Sequence, residues 1–411
     1  MEVKPGYKQT EVGVIPGDWV VRKLTDLLDQ SRSIRYGIVQ PGEFEPRGSL
    51  MLRSQDYSKG WSSPDEMHRV NIQLENQYRN ARIRFGDLIL TIVGAGIGQV
   101  EVAPPWLDGA LLSRSTARIA VDEAKAARRF VAACLESPVG KRQILNCQKE
   151  GAQPVVSCLD LARFLIPTPP LPEQRSIANA LSDADALIES LELLLDKKRY
   201  LKQGAMQELL TGKKRLPGFS GEWEVKKVKQ FGEIVTGGTP PTGIKEYWNG
   251  DIPWVTPTDI SDQKDIHASE RQITALGLAS IRKLPKNSVL ITCIASIGKN
   301  AVLRNAGACN QQINAIIPNK EHDADFLYYL IDGKKQYLLG NAGITATMII
   351  SKRDFSELDF TVPLKAEQTA IAAILSDMDT DLAVLETKLA KARQLKQGMM
   401  QELLTGRIRL V

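Results

Sequence analysis

Apolar residues recur at Ile177, Leu181, Ala184, Ile188, Leu191 and Leu195, and again at Ile371, Leu375, Met378, Leu382, Leu385 and Leu389. Alternating steps of four and three put each set on one stripe of a helix, the a/d seam of a coiled coil. Prolines stand before both runs, where a helix start tolerates them. Each predicted helix has about 38 residues and a length on the order of 57 Å at 1.5 Å per residue.

The two helices are copies of one another. "LKQGAMQELLTG" at 201–212 returns as "LKQGMMQELLTG" at 395–406, an offset of 194 residues. The same offset aligns 173–212 with 367–406 without a gap, with 24 of 40 positions identical. Helices this alike, each with one apolar stripe, most simply pack on each other. The second starts beyond the region that the first leads into, so it must run back: the pair is antiparallel, with one globular region at each end. Gly204 and Gly398 fall inside these helices at a cost of about 1 kcal/mol each relative to alanine. Either a close backbone approach or tolerance near a fraying end accounts for them.

The flanking regions repeat more faintly. Trp19 in "IPGDWVVRKLTDLL" answers Trp223 in "SGEWEVKKVKQFGEI"; Asp56 in "LMLRSQDYS" answers Asp259 in "PWVTPTDIS". "GDLILTIVGAGIG" corresponds to "KNSVLITCIASIG", short strand patterns that each end in a glycine turn, Gly98 matching Gly298. Helical stretches follow near 123–136, opened by Glu123 where an acid suits the helix dipole, and near 323–332. The fold class is α+β: two similar mixed α/β regions separated by an antiparallel pair of long helices, a pseudo-two-fold internal repeat. The expected segments are 1–170, 171–214, 215–362 and 363–411.

A chain of 411 residues holds two to three domains. Neither a stretch of ~18 apolar residues for a membrane span nor a charged-then-apolar leader pattern is found, which points to the cytoplasm. Five cysteines without a CxxC pair or regular framework suit reduced thiols. The net charge of +5 permits a nucleic-acid partner without requiring one.

Catalytic patterns are absent or weak. "GAGIG" at 94–98 lacks the remainder of a dinucleotide fingerprint and reads as a turn. No phosphate loop occurs, and His68, His267 and His322 lie too far apart in sequence to begin a local metal site. Pro64–Asp65 with "EAK" at 123–125 imitates a nuclease pattern of the kind that recurs by chance. The asparagine- or aspartate-Pro-Pro-aromatic motif of amino-methyltransferases does not occur. These residues suit a protein that holds and reads a target.

"PLPEQRSIANALSDADALIESLE" with "LKQGAMQELLTG" resembles the central conserved region of type I restriction–modification specificity (S) subunits, and "EQTAIAAILSDMDTDLAVLETKL" with "LKQGMMQELLTG" is similar to their C-terminal conserved region. "IPWVTPTDIS", "GGTPPT" and "SVLITCIASIGKNAVL" look like wording from the second of their target recognition domains; the first departs more. The resemblance implies a non-catalytic DNA-binding subunit whose two recognition domains each read half of a split double-stranded target, with the helices as a ruler. It also implies docking of two adenine methyltransferase (M) subunits, which carry S-adenosylmethionine, and through them restriction (R) subunits driven by ATP and Mg, while this chain binds no cofactor itself. The competing reading is a stand-alone DNA nuclease or methyltransferase.

Loop side chains able to make two-pronged base contacts are Arg, Lys, Asn and Gln. The candidates are Arg53, Gln55 and Arg114 in the first region and Lys299, Asn300, Gln311 and Gln312 in the second. For subunit docking they are Leu201, Gly204, Met206, Leu209 and Leu210, with Leu395, Gly398, Met400, Leu403 and Leu404. Lys197, Lys198, Arg199 and Lys202 form a basic run that is either a solvated face or a strip facing phosphate. The target sequence cannot be read from the chain.

Overall fold

The computed structural model describes residues 4–94, 96–147, 155–261, 263–343 and 348–410. The chain divides into two compact units: Met1–Leu191 with Lys388–Val411, and Glu192–Thr387. Each unit takes in one recognition region and parts of both long helices.

In the first unit, β1 (Arg35–Tyr36), β2 (Ser49–Leu52), β3 (His68–Val70), β4 (Leu88–Thr91), β5 (Val100–Val102), β6 (Leu111–Leu112) and β7 (Thr116–Ile119) form two sheets, ordered β1-β7-β4-β5 and β3-β2-β6. Helix α1 (Arg128–Glu136) packs its Phe130, Val131, Cys134 and Leu135 into the core. It begins five residues later than the sequence pattern predicts. Glu123 lies in a turn, with a carboxylate oxygen 3.1 Å from the Arg128 guanidinium, because the Ala127 amide that opens the helix bonds to Gln174 Oε1 at 2.9 Å. The long helix α2 (Leu171–Leu209) follows.

The second unit repeats the plan with β8 (Gly232–Thr236), β9 (Trp248–Val255), β10 (Asp265–Ile266), β11 (Gln272–Ile273), β12 (Ser288–Thr292), β13 (Asn300–Leu303), β14 (Ala308–Cys309) and β15 (Ile313–Pro318). Its sheets are ordered β8-β15-β12-β13-β10 and β11-β9-β14. Helix α3 (Ala324–Asp332) takes the place of α1, and α4 (Lys365–Leu403) is the second long helix.

Within each unit the start of one long helix shares a core with the end of the other, so the segments run antiparallel. Ile177 and Leu181 bury with Leu403 and Leu404 in the first unit. Ile371 and Leu375 bury with Leu209 and Leu210 in the second. Further along the helices Ile188, Leu191, Leu382 and Leu385 are half-buried, and Leu195 and Leu389 are buried. The "EQ" that opens both helices is a pair of anchors. Glu367 accepts from Arg215 Nε and Nη2, both at 2.7 Å, and from Trp223 Nε1 at 3.3 Å. Glu173 accepts from Arg409 at 2.6 and 2.8 Å and from Trp19 at 3.2 Å. Gln174 and Gln368 each accept from the backbone at the start of the recognition-region helix and donate to the preceding proline carbonyl, Pro169 or Pro363.

The repeated twelve residues end the helices. Gly212 and Gly406 both take φ +69°, the left-handed conformation that stops a helix. A side chain at Gly212 would meet the Trp223 ring at 3.3 Å, and one at Gly406 would meet Trp19 at 3.2 Å. Gly204 and Gly398, by contrast, have open space where a Cβ would stand, so no close approach within the chain explains them.

Candidate nucleic-acid interface

Two strands of each small sheet run parallel, and that fact builds the candidate surface. β2 pairs with β6 (Met51 with Leu111, Leu52 with Leu112) and β9 with β14 (Trp254 with Ala308, Val255 with Cys309). Parallel neighbours deliver the turns that follow them to one rim. In the first unit these are the turns at 53–56 and 113–115, joined by Ser54 N donating to Ser115 Oγ at 3.2 Å. In the second they are the turns at 256–259 and 310–312. A third segment wedges against each pair through a glycine: Ile38 N donates to Leu112 O and Gly238 N to Cys309 O, both at 2.8 Å. A Cβ on Gly37 would stand 1.7 Å from Leu112 O.

An aspartate, buried at Asp56 and half-buried at Asp259, shapes the first turn in both units. Asp56 Oδ2 caps the Arg53 amide at 2.7 Å, and Asp259 Oδ2 caps the Thr256 amide at 2.7 Å. Asp56 also takes the Arg53 guanidinium at 2.8 and 3.2 Å, so much of the edge that Arg53 would offer a base is occupied. Gln55 and Arg114 are exposed on the same rim.

In the second unit Gln311 is exposed and accepts from Thr239 Oγ1 at 2.7 Å, Gln312 is half-buried and accepts from Asn310 Nδ2 at 3.1 Å, and Lys299 is exposed at the adjoining hairpin turn. Asn300 does not belong with them. It is 4% exposed and donates to Tyr328 O at 2.7 Å, tying β13 to α3, because the strand's alternation turns it inward. The rim also carries residues that the sequence reading missed. Gln99 donates to Tyr57 O at 2.8 Å and is the structural counterpart of Lys299, one position after the matched glycine. That offset was the available signal; Thr239 and Arg271 had none.

"GAGIG" is a turn: Gly98 N donates to Thr91 O at 2.9 Å, just as Gly298 N donates to Thr292 O at 3.0 Å. Ala95 within it lies outside the described residues. Among the described residues no group of three or more His, Cys, Asp or Glu side chains could hold a metal ion, and no helix is long and apolar enough to cross a membrane.

The basic run on α2 is a largely exposed face that is tied by ion pairs to α4. Lys198, Arg199 and Lys202 pair with Asp381, Glu386 and Asp379 of α4 at 2.7, 2.8 and 2.5 Å, leaving Lys197 exposed. The docking expectation is also corrected in part. Leu209, Leu210, Leu403 and Leu404 are 3–6% exposed in the unit cores and cannot meet a partner. Leu201 and Leu395 are 52% and 61% exposed, and Gly204 and Gly398 share their open face. Met206 lines a cavity of about 580 Å³ beside Leu330 and Gly333, and Met400 lines one of about 260 Å³ beside Cys134 and Ser137.

The family described as "Type I restriction modification DNA specificity domain" matches residues 16–197 and 220–394, and the chain belongs to that family. It is 24% identical to the putative type I restriction enzyme MjaX specificity subunit of Methanocaldococcus jannaschii over 98% of this chain and 97% of that one. It is 39% identical to the MjaIX specificity subunit of the same organism, over 38% of each chain. The crystal structure of the type I restriction-modification system S subunit from M. genitalium shares its fold, with a TM-score of 0.60 at 15% identity over 98% of both chains. A structure described as showing complex assembly and conformational transition of the type I R-M system aligns over 96% of this chain and 99% of that one, with a TM-score of 0.53 at 18% identity.

Proposed function

We propose that this chain is the non-catalytic subunit that gives a type I restriction–modification enzyme its DNA sequence, reading one half of a split double-stranded target with each recognition region. The observation that carries the reading is the rim formed in both units by parallel strand ends: the scaffold is the same, and the exposed side chains differ. Phosphate contacts would position the duplex while the rim side chains read base edges. Two adenine methyltransferase subunits would dock on the exposed faces of the repeated helix ends, where Leu201 and Leu395 present the same residue at equivalent positions, and restriction subunits would join through them. S-adenosylmethionine, ATP and Mg would be held by those partners, in the cytoplasm. The two 39-residue helices, each about 58 Å long at 1.5 Å per residue, suit a spacer that sets the gap between half-sites. A stand-alone nuclease or methyltransferase has no comparable support.

The test is an exchange. Residues 225–362 are replaced by the matching region of a relative, the chain is produced with its methyltransferase subunit in a host lacking adenine methylation, and methylated sites are mapped. One half of the target is expected to change while the other half and the methylated strand pattern persist. A change in both halves would refute modular reading, and methylation by the chain alone would favour the enzyme.

A further inference from the structure

Arg271 belongs to the second unit's rim. Ser269 Oγ accepts from Trp254 N at 2.9 Å at the end of β9, and Glu270 N donates to Asp259 Oδ1 at 2.8 Å in the turn at 256–259. The segment carrying Arg271 is thus tied to the same aspartate that shapes the rim. The guanidinium lies 4.0 Å from the centre of the Trp248 ring and 5.1 Å from that of Trp254. Both indoles are themselves fixed. Trp254 Nε1 donates to Gly238 O at 2.8 Å, Trp248 Nε1 donates to Pro241 O at 3.3 Å, and the rings meet edge to face. They brace the loop carrying Thr239, which bonds to Gln311.

Stacking occupies the face of a guanidinium and leaves its in-plane N–H donors free. Arg271 is exposed, and among the described residues no carboxylate pairs with it. Arg53 is the contrast, since Asp56 holds its edge. An arginine held rigid by its face, with its donor edge open at a reading rim, matches the paired acceptors O6 and N7 of guanine in the major groove. We infer that Arg271 is a specificity-determining residue that reads a guanine in the half-site of the second recognition region.

The inference rests on the DNA-reading function proposed above, and the experiment separates the two. The full chain is produced with its methyltransferase subunit in the methylation-free host, as wild type, Arg271→Lys and Arg271→Gln. The half-site of the second region is identified by the exchange of residues 225–362. A wild type that specifies no motif overturns the DNA-reading function itself. A wild-type half-site with no G·C pair overturns the role of Arg271 alone. Where a guanine is present, Arg271→Lys keeps the charge and loses the two-pronged edge. Its discrimination at one guanine position should fall roughly 5- to 150-fold, the value of one such contact, with the other half-site unchanged. Arg271→Gln should relax the same position. The purified complexes are also titrated with duplexes carrying each of the four bases there. An equal loss of affinity for all four would mark a phosphate contact and overturn the inference, as would wild-type preference in both variants.

Discussion

The second unit closes on chain that comes next in sequence, and the first closes on chain that arrives from the other terminus. In the second, α2 ends at Gly212 and the following residues supply Arg215 and Trp223 to Glu367. In the first, the same latch on Glu173 takes Arg409 from after α4 and Trp19 from the chain's beginning, with Arg409 also gripping Asp18, 391 positions away. Even the glycine against the indole is reproduced, and Tyr7 Oη adds a bond to Gly406 O at 3.0 Å. Chain continuity therefore does not explain the latch; its contact geometry does. The repeating structural unit is a recognition region held between the start of one long helix and the end of the other.

The units part company where contacts leave the scaffold. The second pins its helix pair with Lys198, Arg199 and Lys202 on three acids of α4. Of these, Lys202–Asp379 returns in the first as Lys396–Asp185, both at 2.5 Å, whereas the first buries Ala392 where the second has Lys198 on Asp381. At the rims, Arg53 and Gln99 are tied to the first unit's own backbone and side chains, whereas the second unit displays a stacked Arg271 and an exposed Lys299. Side chains at the rims that satisfy the fold repeat; those that face outward do not.

The largest test of this equivalence is the latch. Glu173→Ala and Glu367→Ala each strip a buried carboxylate from an arginine and a tryptophan. Each should cost about 3 kcal/mol, toward the low end for a broken buried pair because the arginines are partly solvated. Hydrogen exchange resolved by unit would report the losses, each confined to its own unit. A much smaller loss for Glu173→Ala would show that the latch closed across the termini is not the equal of the continuous one.

A smaller effect is expected at the docking faces. Leu201→Asp or Leu395→Asp removes an exposed leucine and should lower the affinity of one of two methyltransferase copies by about 2 kcal/mol, the value of burying such a side chain. Leu201 has exposed Leu193, Leu194 and Tyr200 nearby, whereas Leu395 has exposed Lys388 and Gln394, so the second substitution should weaken docking more. Native mass spectrometry would show a one-copy complex accumulating. Equal loss of both copies from either substitution would break the two-site picture.

Acid should separate the units most gently. Burial, with Lys226 nearby, lowers the His322 pKa to about 4 from 6.5. The unfolded chain thus binds the proton first, and the second unit loses stability as pH falls from 6.5 toward 4. In the first unit burial raises Glu101 and Glu136, each also facing other carboxylates. The folded form then binds protons first, so these groups add stability as pH falls toward 4.5. Burial also lowers the His68 pKa in the first unit, which works against these two groups. Exchange protection should therefore fall more in the second unit than in the first between pH 7 and pH 5, and His322→Gln should flatten the response of the second unit. Equal loss in both units would contradict this.

The helix seam, its duplication and its antiparallel sense were legible because period and repetition are properties of sequence. So were the matched tryptophans and the glycine turns, whose partners lie at constant offsets. The late start of α1 was not, since Gln174 from a distant segment takes the amide that a local capping pattern would have claimed. Nor was the inward turn of Asn300: "GKN" announces a turn without stating where the strand's alternation resumes.

The sequence by itself determined the architecture in duplicate, because helix period, helix stops and buried apolar runs are set by neighbours in the chain. Only the tertiary structure decided which repeated leucines are core and which are free, since Leu201 and Leu209 share one motif and differ only in the face they present. Only it brought the turn at 53–56 to that at 113–115, and Arg271 onto Trp248. Parallel strand pairing and ring stacking join residues far apart in the chain, and no local pattern encodes which distant partner will be met.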